Sequence, residues 1–172
     1  MKGAILTLSD KGARGEREDR SGPALATWLT EQGVTVLRTE IIPDEMDIIC
    51  ITLEGWADSG AFDLILTTGG TGVSPRDVTP EATRRVVERE IPGFGETMRR
   101  SSMEKTPHAM ISRAIAGIRK QTLIINLPGS PGGAVENLAA VWPAVPHAVA
   151  KIKGDTNDCV PTAHSATASP PM

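Results

Sequence analysis

The chain has 172 residues, with 18 Lys and Arg against 21 Asp and Glu for a net charge of −3. That balance gives no global electrostatic pull toward nucleic acid or an anionic membrane, so any anion must be held locally. Aromatic platforms for stacking a single strand are poorly supplied, with no Tyr, two Phe and three Trp, and the length suits one domain burying roughly 70% of its unfolded surface without a staple.

The opening "MKGAILTLSD" carries no cleavage signal, and no stretch approaches the ~18 consecutive apolar residues of a membrane span, so the chain reads as cytosolic. "GAILTLS" (3–9) is a first strand, followed by the charged loop "DKGARGEREDR". Ser21 is placed to cap a helix with Leu25, Trp28 and Leu29 on one face and Gly33 at its end. "VTVLRTEII" (34–42) is a second strand. Pro43-Asp44-Glu45 then opens a helix whose apolar positions 49, 53, 56 and 57 share one buried face. The spacing of all three Trp, at 28, 56 and 142, is that of core packing.

"FDLILTT" (62–68) is a third strand, nearly continuous in apolar residues, as expected where helices cover both sheet faces. Thr79-Pro80-Glu81 reads as cap, first-turn proline and first-turn acid of the next helix. Short helices are expected around "GFGETMRRSSM" and "MISRAIAGI", then a fourth strand "TLIINL" (122–127), "PGSPGG", and a final helix over about 134–152. Residues 1–154 form the domain; residues 155–172, rich in Ser, Thr, Ala and Pro, read as a disordered tail. Alternating strands and helices predict an α/β fold, a doubly wound and mostly parallel sheet with helices on both faces.

Ligands of such a sheet gather at the C-terminal ends of its strands. The loops there hold Ser9-Asp10, Pro43-Asp44, Thr68 to Asp77 and Pro128 to Gly133. The last two are glycine-rich and lead toward helix N-termini, where backbone N–H groups favour phosphate. "GGTGVSPRD" lacks the Walker lysine and the GxGxxG spacing, and by itself a glycine turn is equally a plain turn. Asp44 and Asp77 occupy equivalent places after different strands and could face one cleft. Two carboxylates beside phosphate loops suit Mg²⁺, which is usually held by one or two carboxylates plus substrate phosphates. His108, His147 and His164 have no zinc spacing, and Cys50 and Cys159 form no disulfide framework or CxxC motif.

"TTGGTGVSPRDVTPEA", with "IIPDE" upstream and "NLPGSP" downstream, resembles the molybdopterin adenylyltransferases, the family that includes the G domain of gephyrin. The likeness runs over residues 3–154 and includes "REIPGFGETMRR" and "HAVAKIKGD". It implies a three-layer α/β fold, a homotrimer, and Mg-ATP-dependent transfer of AMP onto the terminal phosphate of molybdopterin. Pyrophosphate would leave, and the product would pass to a molybdenum-insertion enzyme. The resemblance also implies that Asp44 and Asp77 are the family's acids, which we expect to bind or orient Mg²⁺ rather than abstract protons, and that Gly69, Gly70, Thr71 and Gly72, after Thr68, cradle phosphates. Pro128, Gly129, Ser130 and Pro131 correspond to a second binding loop, with Ser9, Asp10, Ser74 and Arg76 as further cleft contacts. A family branch that binds the pterin without adenylylating it lacks the first acid; its presence as Asp44 favours the enzyme over a non-catalytic binder or carrier. A generic nucleotide module would leave the second loop unexplained.

Overall fold

The computed structural model describes residues 1–156; the expected tail from residue 157 onward, with Cys159 and His164, lies outside the described residues. In chain order the first half holds β1 (Lys2–Leu8), α1 (Asp10–Ala13), α2 (Ser21–Glu31), β2 (Thr35–Ile42), α3 (Met46–Asp58) and β3 (Leu64–Thr68). The second half holds α4 (Thr79–Val86), β4 (Arg89–Glu90), α5 (Pro92–Met103), a 3-10 turn (Pro107–Ile111), β5 (Ala116–Arg119), β6 (Thr122–Leu127), α6 (Pro131–Val141) and α7 (Val145–Ile152). No helix among the described residues is long and apolar enough to cross a membrane.

The strands form one sheet in the order β2-β1-β3-β6-β5-β4. β1 pairs in parallel with β2 and β3, and β3 with β6. β5 runs antiparallel to β6, and the two-residue β4 antiparallel to β5. The period of two in a strand sends alternate side chains to opposite faces. Ala4, Leu6, Leu8, Ile65 and Ile124 thus pack under α3 and α4, against Ile49, Leu53, Trp56 and Val86. Ile5, Leu64, Leu66, Leu123, Ile125 and Leu127 meet Leu25, Leu29, Met98, Leu138 and Val149 of α2, α5, α6 and α7 on the other face. The result is a three-layer α/β fold with a mostly parallel sheet, and its two cores explain the unbroken apolar runs of the central strands.

Local structure departs from the sequence expectations at several places. Thr79 is not the cap of α4 but its first residue: Val78 holds the N-cap position, and the Thr79 hydroxyl donates to Gly69 O instead. Asp19, not Ser21, caps α2: its Oδ1 accepts from the N–H groups of Ser21 and Gly22, both at 3.0 Å. The loop after β1 begins with the short helix α1, capped by Ser9 Oγ, which accepts from Gly12 N at 3.0 Å. "MISRAIAGI" is not a helix but the end of a 3-10 turn followed by β5, whose residues Ala116, Gly117 and Ile118 are buried. The final helix is broken at Trp142–Ala144, where Pro143 and Pro146 withdraw the backbone donors that an unbroken helix needs. The tryptophans do pack apolar: Trp56 is buried, and Trp28 and Trp142 meet edge to face with centroids 5.0 Å apart.

Candidate active site

After β1 the chain crosses to β2 on one side and later returns to β3 on the other, so the loops leaving β1 and β3 diverge. That is the switch point where an open α/β sheet forms a crevice. A cleft of about 620 Å³ opens there. Its walls are the ends of β1 (Thr7, Leu8, Ser9), β3 (Thr68, Gly69, Gly70) and the β6 loop (Gly129, Ser130, Pro131), with Asp44 and Asp77.

The glycine turn is built by close approach. Gly69 and Gly70 have φ of 103° and 63°, which favour glycine. Gly69 N donates to Leu127 O at 3.1 Å, and Thr79 N to Gly70 O at 3.2 Å. Thr79 Oγ1 donates to Gly69 O at 2.9 Å, so this threonine folds the turn onto the start of α4. A Cβ on Gly70 would strike Thr79 Oγ1 and stand 3.0 Å from Asp44 Oδ1; one on Gly129 would stand 3.3 Å from Gly69 Cα. The two glycine loops therefore meet main chain to main chain, fixed further by Thr68 Oγ1 donating to Pro128 O at 2.7 Å.

Asp44 is set by the register of β2 on β1. Ser9 N donates to Ile42 O at 3.0 Å, which brings Asp10 beside Asp44. Asp10 N then donates to Asp44 Oδ2 at 3.0 Å while Asp44 N donates to Asp10 Oδ1 at 3.1 Å. Burial pushes the Asp44 carboxyl above its ordinary value, opposed by the Asp10 N–H and reinforced by the negative charges of Asp10 and Asp77. Asp10 moves the other way, because Arg76 donates to both of its oxygens at 3.0 and 2.8 Å. Arg76 also donates to Glu45 Oε1 at 2.8 Å. Asp77 Oδ2 accepts from Ser74 N at 2.7 Å, and a Cβ on Gly72 would stand 2.9 Å from it.

Of the residues singled out in the sequence, Ser9, Asp44, Thr68, Gly69, Gly70, Asp77, Gly129, Ser130 and Pro131 line this one cleft. Thr71, Gly72 and Pro128 line a second cavity of about 260 Å³, which shares Ser130 with the first. Asp10, Ser74 and Arg76 line neither. The sequence reading missed the segment Arg17, Glu18, Asp19 and Arg20, which also walls the cleft. Asp19 anchors that segment, accepting from Thr7 Oγ1 at 2.7 Å as well as capping α2. Its signal was an acid two residues before Ser21-Gly22-Pro23, the pattern of a cap ahead of a helix.

A hard divalent cation fits the acid pair. The like charge that helps raise Asp44 is a load that a cation would relieve, and two carboxylates are the protein share of a site completed by phosphate oxygens. Among the described residues no group of three or more His, Cys, Asp or Glu side chains could form an all-protein cage.

The family model described as "Probable molybdopterin binding domain" matches residues 4–147. The molybdopterin adenylyltransferase of Helicobacter pylori strain J99 is 46% identical over 153 residues, covering 88% of this chain and 87% of the relative. That of Escherichia coli K12 is 48% identical over 139 residues, covering 80% and 71%. Among solved structures, the molybdopterin biosynthesis enzyme MoaB of Thermus thermophilus superposes with a TM-score of 0.84 at 51% identity, covering 90% of this chain and 97% of that one. Two acids facing one cleft at a sheet switch point, between glycine loops, are thus set in a chain that belongs to the molybdopterin-binding domain family of the molybdopterin adenylyltransferases.

Proposed function

We propose that residues 1–154 catalyse Mg-ATP-dependent adenylylation of molybdopterin in molybdenum cofactor biosynthesis, as a cytoplasmic homotrimer. The single observation that carries this reading is the convergence of Asp44 and Asp77 on one cleft bounded by both glycine loops. In the reaction an oxygen of the molybdopterin phosphate forms a bond to the α-phosphorus of ATP, and the bond to the departing pyrophosphate breaks with its electron pair. A phosphate monoester with a second pKa of about 6 is largely ionised at neutral pH, so no general base is needed. What the reaction needs is alignment and charge neutralisation. Mg²⁺, held by Asp44 and Asp77 with substrate phosphates, would neutralise charge on the reacting phosphates.

The chain's own residues supply the rest. The start of α6 carries no side-chain cap, and its N-cap Ser130 stands in the cleft wall, so main-chain N–H groups there are free for an anion. Arg17 and Arg20 line the same cleft, and Arg17 makes no hydrogen bond or ion pair among the described residues. Exposed large apolar side chains on β2 and α3, Leu37 and Ile51 among them, support assembly with further copies. The adenylylated pterin is activated at its phosphate, as a later molybdenum-insertion step would require.

The test is a single-turnover assay with molybdopterin, Mg²⁺ and ATP labelled in the α-phosphate. Label should move onto the pterin in the wild type and stall in Asp77→Asn while pterin still binds. Tight pterin binding without label transfer in the wild type would leave a carrier protein instead, and light scattering at one-subunit mass would remove the trimer.

A further inference from the structure

Arg113 sits between the 3-10 turn Pro107–Ile111 and β5, half-buried and remote in sequence from the acids. Its backbone is anchored from below: Arg99 Nη1 on α5 donates to Ser112 O at 3.3 Å and Ala114 O at 3.0 Å. From that fixed point Arg113 N donates to Thr71 O at 2.9 Å and Nε to Gly72 O at 2.6 Å. Nη2 donates to the main-chain oxygen of Asp77, and Nη1 pairs with Glu81 Oε1 in the first turn of α4. One planar guanidinium thus joins the beginning of the acid loop, its end, and the helix that follows it.

Between those ends, Val73 to Arg76 are all exposed. Inside the loop, Asp77 N donates to Ser74 O at 2.9 Å and Ser74 N to Asp77 Oδ2 at 2.7 Å. Arg76, the nearer arginine, is turned to Asp10 and Glu45. The other oxygen of Glu81 is buried without a hydrogen-bond partner among the described residues, so this carboxylate is compensated through Arg113. A lysine ammonium is a point charge without the fork and cannot reach these acceptors together.

We propose that Arg113 is the positioning residue that fixes the Asp77 carboxylate in the cleft. Its influence on catalysis rests on the adenylylation reading; its influence on where Asp77 stands does not. Because Thr106, His108, Ala109, Ile111 and Ser112 also wall the second cavity, Arg113 ties the shape of that cavity to the acid turn of the first.

The experiment compares amide hydrogen exchange, read by NMR, in the wild type, Arg113→Lys and Arg119→Lys. Arg119 is a control that binds Asp58 and Val86 O, away from both cavities. Arg113→Lys should speed exchange of the Ser74 amide by about tenfold, leaving the Leu66 amide in β3 near its wild-type rate, while in Arg119→Lys the Ser74 amide should stay near its wild-type rate. Unchanged Ser74 exchange, or Leu66 accelerated by the same factor, would overturn the proposal. In the labelled-ATP assay Arg113→Lys should lower kcat by about tenfold at saturating ATP with little change in KM. A wild type that transfers no label, together with the expected Ser74 effect, would remove adenylylation and leave the positioning role in place.

Discussion

Asp10 and Asp44, 34 residues apart, each donate a backbone N–H to the other's carboxylate, at 3.0 and 3.1 Å. The exchange locks the loop after β1 to the loop after β2, yet leaves the two acids with opposite titration behaviour. Arg76 holds Asp10 below its ordinary value, while burial holds Asp44 above it.

The Asp44 shift carries a sign. A carboxyl whose folded value exceeds its unfolded one binds more protons folded than unfolded between the two, so stability falls as pH rises through that window and stays reduced above it. Asp44→Asn keeps an acceptor for Asp10 N while removing the charge. It should unfold at a higher temperature than the wild type at pH 7, with the advantage gone below the ordinary Asp value of 3.8. The same variant should lose at least about 100-fold in AMP transfer. Thermal scans across pH check the first statement; a melting temperature at pH 7 below that of wild type would contradict it.

Arg76→Ala acts through Asp10. A depressed folded value contributes stability above the unfolded value and loses it as pH falls through the folded one. The variant should therefore be less stable than the wild type at neutral pH, by a small margin since the pair is solvent-exposed, and the difference should close in acid. Because the guanidinium is engaged by Asp10 and Glu45, transfer should fall by less than about tenfold with the KM for ATP near wild type. Urea melts at two pH values and steady-state kinetics give both readings.

Gly70→Ala should be far worse than its single methyl suggests. At φ 63° the new Cβ would be strained, would strike Thr79 Oγ1, and would press within 3.0 Å of Asp44 Oδ1. A stability cost of about 1–3 kcal/mol is expected from the backbone alone. Displacement of the carboxylate should add a loss of about 100-fold in transfer. Kinetics on the folded fraction, with fold content checked by circular dichroism, separate the two.

The acid pair and the glycine turn were legible because both are local: each is a strand end followed by a turn residue and a helix start. Arg113 was not, since its partners lie 32 to 42 residues upstream and meet it only when β5 folds against β6. The segment "MISRAIAGI" misled for a related reason. Residues 114–118 are all buried, so a period of two and a period of 3.6 predict the same apolar run. Ser21 was read as the cap because hydroxyls cap helices, and Asp19 took the role by reaching forward two and three residues to the Ser21 and Gly22 N–H groups. The parallel block survived these errors, as its four strands are the stretches buried on both faces or paired at the edge by β1.

Arg17→Ala tests the arginine segment of the cleft wall. An arginine lining the cleft without a partner among the described residues is available to a triphosphate, so its removal should raise the KM for ATP by about five- to tenfold and make affinity fall less steeply with salt than in wild type. Isothermal titration with ATP at low and high ionic strength would show it; equal affinities in wild type and variant would place the triphosphate elsewhere.

The meeting of Gly69 with Gly129 has a consequence for redesign. Where Gly129 faces Gly69 Cα, this part of the cleft wall is made of peptide groups rather than side chains. It cannot be reshaped by exchanging side chains at these positions, because a Cβ on Gly129 would stand 3.3 Å from Gly69 Cα and one on Gly69 would strike Leu8 O. Redesign of the cleft would have to start from its side-chain lining, at Arg17, Arg20 or Ser130, and accept the glycine contact as given.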